Sequence, residues 1–69
     1  MRIPRMLFRV KNREIEAEAR RMVRALGFDD VEIRRDDTIA DAWLEDYEAS
    51  RTVYGLQEIE EYLTRLISS

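Results

Sequence analysis

Asp36-Asp37-Thr38-Ile39-Ala40-Asp41-Ala42-Trp43-Leu44-Glu45-Asp46-Tyr47-Glu48-Ala49-Ser50-Arg51-Thr52-Val53-Tyr54 is the stretch whose reading decides the fold. Ile39, Trp43 and Tyr47 lie four apart, and Ala40 and Leu44 widen the stripe, so the spacing predicts a helix over 39–47. Asp36-Asp37-Thr38 would open it, and Thr38 with Asp41 has capping-box spacing, Asp standing for the usual Glu. Read as a strand, the same residues put Trp43 and Tyr47 on one face with Asp41 and Glu45, poor burial for two aromatics. The helix is therefore preferred. Ser50-Arg51 breaks the pattern, and Thr52, Val53 and Tyr54 are prone to a very short strand.

Upstream, Met6, Phe8 and Val10 alternate with Leu7 and Arg9, which predicts a strand at about 5–10, with Pro4 acceptable at its start. Asn12 is a good N-cap for a helix at 13–26, where Ile15, Ala19, Met22, Val23 and Leu26 recur at helical spacing. Gly27 ends it as a left-handed cap, with Phe28 folding back on Val23 as in a Schellman motif. Val31 and Ile33 alternate with Glu32 and Arg34, a second strand at 31–35, parallel to the first across the helical crossover. Downstream, Gly55 precedes the strongest helix: Leu56, Ile59, Tyr62, Leu63, Leu66 and Ile67 make one apolar face.

The reading is one domain, 1–69, of the α/β class: a three-stranded sheet in β-α-β-α-β-α order. If 39–47 were extended, the order would become β-α-β-β-α, closer to a ferredoxin-like α+β sandwich.

Several stretches resemble the glutaredoxin branch of the thioredoxin-like fold. Met6-Leu7-Phe8-Arg9-Val10 resembles its first strand, and Ala25-Leu26-Gly27-Phe28 the end of its first helix. Asp30-Val31-Glu32-Ile33 resembles its second strand, Arg51-Thr52-Val53 the approach to its third, and Gly55–Leu63 its glycine-led last helix. The resemblance implies a truncated, thioredoxin-like domain, but it does not carry the family's chemistry across. Where the family has Cys-x-x-Cys, this chain has Arg13-Glu14-Ile15-Glu16, so the thiolate of disulfide exchange cannot exist. Tyr54 follows Thr52-Val53 where the family carries a cis proline, and too little chain separates Val53 from Gly55 for the usual β-hairpin.

The 69 residues contain neither cysteine nor histidine. Zinc sites on thiolate or imidazole, Ser-His-Asp triads and Cys-His pairs are thereby excluded within one chain. A cleft holding two carboxylates for hydrolysis has little room in so small a domain, so no enzyme activity and no cofactor are expected. The start, Met1-Arg2-Ile3-Pro4-Arg5-Met6, has no apolar core of a leader, and no run approaches the ~20 residues of a membrane span. The expectation is a cytoplasmic chain.

Net charge is −3 but uneven: residues 1–35 carry ten Arg/Lys and six Asp/Glu, residues 36–69 two and nine. Six carboxylates fall between Asp36 and Glu48 with no basic residue among them. On a helix, Asp41, Glu45 and Glu48 share one face, with Asp37 just before it. These four are the candidate partner-binding residues, a surface for a basic protein or a weak hard-cation site. The plainer reading is a solvated outer face, its first acids favoured by the helix dipole. Arg5, Arg9, Lys11, Arg13, Arg20, Arg21 and Arg24 could contact nucleic-acid phosphates, but the acidic net charge and the glutamates on the same helix argue for arginines paired within the chain. Phe8, Trp43, Tyr47, Tyr54 and Tyr62 are expected in or near the core.

The function expected is a non-catalytic, redox-inactive protein-interaction module, using the acidic helix and an unpaired sheet edge. Its clear caps and clean amphipathic faces also fit a designed or engineered scaffold, and nucleic-acid binding through the arginine-rich half is a third reading. A core this small makes a homo-oligomer a further expectation.

Overall fold

Alternating apolar residues make Met6–Val10 the first strand, β1, with Met6, Phe8 and Val10 fully buried on one face. The structure, a computed structural model, describes residues 3–68. Met1 and Arg2, which head the segment read for a leader, and Ser69 lie outside the described residues.

Helix α1 spans Arg13–Ala25. Asn12 Oδ1 accepts the Ile15 N–H at 2.9 Å, satisfying one of the donors a helix start leaves open. At the other end Gly27 takes a φ of 81°. Phe28 N–H donates to Val23 O at 3.0 Å and Gly27 N–H to Arg24 O at 3.2 Å, the two bonds of a Schellman cap. Strand β2, Val31–Arg35, then pairs parallel with β1. Up to this point the elements lie where the residue pattern puts them.

Residues 36–54 do not. Asp36 Oδ1 accepts both the Thr38 N–H at 3.0 Å and the Thr38 hydroxyl at 2.5 Å, a local turn in place of the expected capping box. Strand β3, Ala42–Asp46, and strand β4, Arg51–Tyr54, follow as an antiparallel hairpin, with Ser50 in its turn at a φ of 55°. Helix α2, Leu56–Ser68, begins immediately after Gly55, whose φ is 90°. The sheet runs β2-β1-β3-β4, with β1 antiparallel to β3.

The described residues thus form an α+β fold of four strands in a mixed sheet and two helices. This corrects the expected three-stranded, thioredoxin-like β-α-β-α-β-α order. The ferredoxin-like β-α-β-β-α alternative falls as well, one strand short. The observed hairpin lies upstream of the Val53–Gly55 stretch judged too short for one: β3 comes from residues assigned to a helix, and β4 from the stretch read as a short strand.

The physical reason lies in the phase of β3. Ala42 and Leu44 face the core, and so does Asp46, which is 1% exposed. A carboxylate in the apolar phase hides the period of two. Trp43 and Glu45 then point the other way. Met6, Phe8, Val10, Ala42 and Leu44 of the sheet meet Ala19 and Val23 of α1 and Ile59, Tyr62 and Leu63 of α2 in one core cluster. Both helices therefore cover the same face of the sheet, and neither covers the other.

Candidate functional site

The uncovered face is read directly from the strand registers. Leu7 lies beside Glu32 on one side and Glu45 on the other, and Arg9 beside Arg34 and Trp43. Trp43 in turn lies beside Tyr54, and Glu45 beside Thr52. The Trp43 and Tyr54 rings meet edge to face, centroids 5.3 Å apart, an arrangement aromatic pairs favour. Trp43 is 36% exposed, Tyr54 59% and Tyr47 49%. The expectation that these three aromatics pack in or near the core is corrected; Phe8 and Tyr62 alone are buried there. In the helical reading Trp43 and Tyr47 held the inner stripe, whereas strand alternation turns Trp43 outward and Tyr47 enters the turn after β3.

Leu7 is 5% exposed although no helix lies over it, and it stands outside the main core cluster. It floors a groove of about 350 Å³ walled by Ile3, Pro4 and Tyr47, with Arg9, Glu32 and Arg34 along it.

The charges of this face are matched within the chain. Arg9 Nε donates to Glu45 Oε1 at 2.8 Å and Nη1 to Asp36 Oδ2 at 3.2 Å. The Glu45 bond, outweighing burial, holds the Arg9 guanidinium still more firmly protonated. Asp36 is held below the usual carboxylate range, chiefly by the Thr38 hydroxyl and N–H, with Arg9 adding to them. Arg34 donates to Glu32 at 2.5 Å.

The four acidic candidates are dispersed. Asp37 and Asp41 lie exposed in the β2–β3 connection, Glu45 sits on the uncovered face against Arg9, and Glu48 lies in the hairpin turn, 3.6 Å from Arg5. The shared helix face expected for Asp41, Glu45 and Glu48 does not exist because no helix forms there. Among the described residues no three acidic side chains gather as a metal-holding group. The arginines are largely engaged: Arg20 and Arg35 both bond Glu16, Arg21 pairs with Glu18, and Arg5 with Asp46.

Sequence reasoning missed Asp46. Its carboxylate accepts from the Tyr62 hydroxyl at 2.5 Å, from Arg5 Nε and Nη2 at 3.3 Å each, and from the Glu48 and Ala49 N–H groups at 3.1 and 3.3 Å. Burial pushes this carboxyl up, but Tyr62, Arg5 and the Ala49 N–H outweigh it and hold Asp46 below the usual range. With every lone pair occupied, the group pins the hairpin turn rather than offering a reactive oxygen. Among the described residues no helix is long and apolar enough to cross a membrane.

No protein-family model matches the chain, and no curated protein or solved structure matches it.

Proposed function

We propose that this chain is a non-catalytic protein-interaction module that receives an apolar protein segment on the uncovered face of its sheet. The observation that carries the reading is the exposed Trp43–Tyr54 pair on a face that neither helix covers. Large aromatics lose little conformational freedom on docking and supply much of the contact energy at interfaces. Because Arg9 is already met by Glu45 and Asp36, and Arg34 by Glu32, these strand charges are compensated within the chain and do not select a charged partner. An amphipathic helix presenting an apolar stripe fits such a surface. This replaces the acidic-helix surface as the contact site. Without histidine or cysteine the face holds neither a base near neutral pH nor a thiol, which supports the non-catalytic reading.

Trp43 is the chain's one tryptophan, so its emission reports on this face alone. Helical peptides selected for binding from a displayed library should shift that emission, and Tyr54→Ala should weaken them at least about tenfold. Binders that leave Trp43 emission unchanged and tolerate Tyr54→Ala would sink the reading.

A further inference from the structure

We propose that two copies of this chain join edge to edge through β2, antiparallel, about a twofold axis beside Ile33. Among the described residues β2 is the outermost strand on its side of the sheet and pairs only with β1. The direction of its free backbone groups follows from the two bonds that flank it. Met6 N–H donates to Asp30 O at 3.3 Å, and Asp36 N–H donates to Val10 O at 2.8 Å. In a parallel pair the N–H and C=O of one residue point to the same side, and the sides alternate along the strand. The groups of Glu32 and Arg34 therefore point inward to β1, and those of Val31, Ile33 and Arg35 point outward.

Antiparallel pairing centred on Ile33 uses all three. Ile33 meets Ile33 of the second copy, and Val31 meets Arg35 of the second copy on either side. Each outward residue exchanges one N–H and one C=O, so about six hydrogen bonds cross the axis.

The same register matches charge. Glu32 stands opposite Arg34 of the second copy, and Arg34 opposite its Glu32, at the closely spaced pairs where side chains interact most strongly. Within one chain Arg34 and Glu32 already bond each other from largely exposed positions, so exchanging partners requires little desolvation. Sliding by two residues sets Glu32 against Glu32 or Arg34 against Arg34, and sliding by one sets outward groups against side chains of the wrong face. Just beyond the strands, Asp30 comes opposite Asp36 of the second copy, and Asp36 is met by Arg9 of its own chain. Charged edges normally discourage pairing. Here their alternating sign favours the register centred on Ile33, the one that also pairs all three outward residues.

Packing points the same way. A groove of about 430 Å³ runs along this edge, its lining an apolar strip of Val23, Phe28, Val31 and Ile33 together with the charged Arg20, Arg24 and Asp29. Ile33 of a second copy continues that apolar strip. The opposite edge is a poorer candidate. Gly55 N–H donates inward to Ala42 O, which leaves only Thr52 and Tyr54 facing out on β4, with no opposite charges between them. The joined sheet leaves the Trp43 face open, so this proposal stands apart from the proposed function.

Sedimentation over a concentration series on the full chain tests it, with amide hydrogen exchange alongside. The chain should dimerise, and Arg34→Glu should weaken the dimer about tenfold or more by facing Glu32 with a like charge. The double exchange Glu32→Arg with Arg34→Glu should restore it. In the unaltered chain the amides of Val31, Ile33 and Arg35 should gain protection as concentration rises, a readout that needs no variant to fold. A chain that stays monomeric at millimolar concentration overturns the proposal. So does a dimer indifferent to Arg34→Glu, a double exchange that restores nothing, or protection that rises at Thr52 and Tyr54 instead.

Discussion

The Tyr62 hydroxyl donates to Asp46 Oδ2 at 2.5 Å inside the core, tying the second helix to the end of the third strand. Arg5 closes on the same carboxylate from the start of the first strand, and two turn amides reach it from the hairpin. Among the described residues no buried side-chain polar atom lacks a partner. Tyr62→Phe keeps the ring and deletes one donor, leaving a buried carboxylate short of a bond. The expected cost is about 1–3 kcal/mol, since the group stays desolvated while its best neutral donor is gone. Urea unfolding should show a lower midpoint with an unchanged slope.

This network sets the response to pH. Asp46 titrates below its ordinary value when folded, despite the upward push of burial, because Tyr62, Arg5 and the Ala49 N–H favour the charged form. Its contribution is therefore present above the unfolded carboxylate pKa of about 3.9 and is lost as pH falls through the lower folded value. Glu16, held down by Arg20 and then Arg35, acts with the same sign. Tyr62 is raised, first by burial and then by Asp46, so its contribution holds below about pH 10 and is lost as pH rises through the folded value. Urea midpoints followed from acid to alkaline pH should fall at both ends. Asp46→Asn should flatten the acid limb and Tyr62→Phe the alkaline one. An acid limb as steep in Asp46→Asn as in the parent chain would show that other carboxylates set it.

Ala42→Glu and Ala40→Glu separate a strand from a helix at the deciding stretch. In a helix over 39–47, Ala40 lies on the apolar stripe and Ala42 off it. In the structure Ala42 is 1% exposed against the core and Ala40 is exposed in the β2–β3 connection. Ala42→Glu should cost several kcal/mol by forcing a charge into a packed site, whereas Ala40→Glu should stay within about 0.5 kcal/mol. Far-ultraviolet circular dichroism and thermal melting of the two variants give the answer.

Those two alanines also show what the chain made legible. The β-α-β half could be read because its signals are local: an Asn12 cap, a Gly27 stop and clean alternation in Met6–Val10. The last helix was equally local. The hairpin was not, because its core phase runs Ala42, Leu44, Asp46, and Asp46 is made acceptable by Arg5 and Tyr62, which are 41 and 16 residues away. Local preference has no view of partners that distant. The uncovered face was hidden for the same reason. Trp43 and Tyr47 supplied a convincing helical stripe only while both were assumed to be buried.

Helix α1 offers a test at each end. Asn12→Ala removes the acceptor for Ile15 N–H and should cost about 1 kcal/mol. Gly27→Ala meets no atom within 4 Å, so its cost comes from the left-handed backbone alone, about 1 kcal/mol. Gly27→Asn should cost less, since Asn tolerates that conformation better. Thermal melts of the three variants check the order, and a Gly27→Ala variant as stable as the parent would remove backbone handedness as the cause.

Leu7 and Leu63 are both buried leucines, yet they should answer differently to truncation. Leu63 is 0% exposed between helix and sheet, so Leu63→Ala leaves a dry cavity that its neighbours cannot fill. Its cost should fall in the range of about 3–5 kcal/mol. Leu7 is 5% exposed, but on the face without a helix, under Ile3, Pro4 and Tyr47 and beside charged side chains. Leu7→Ala opens its space to a groove that water can enter, so the transfer loss remains while most of the cavity loss disappears. About 1–2 kcal/mol is expected. Parallel urea titrations of the two variants measure the gap. Equal losses would mean that something covers the Leu7 face in solution, and a gap that closes only as protein concentration rises would identify the cover as another copy of the chain.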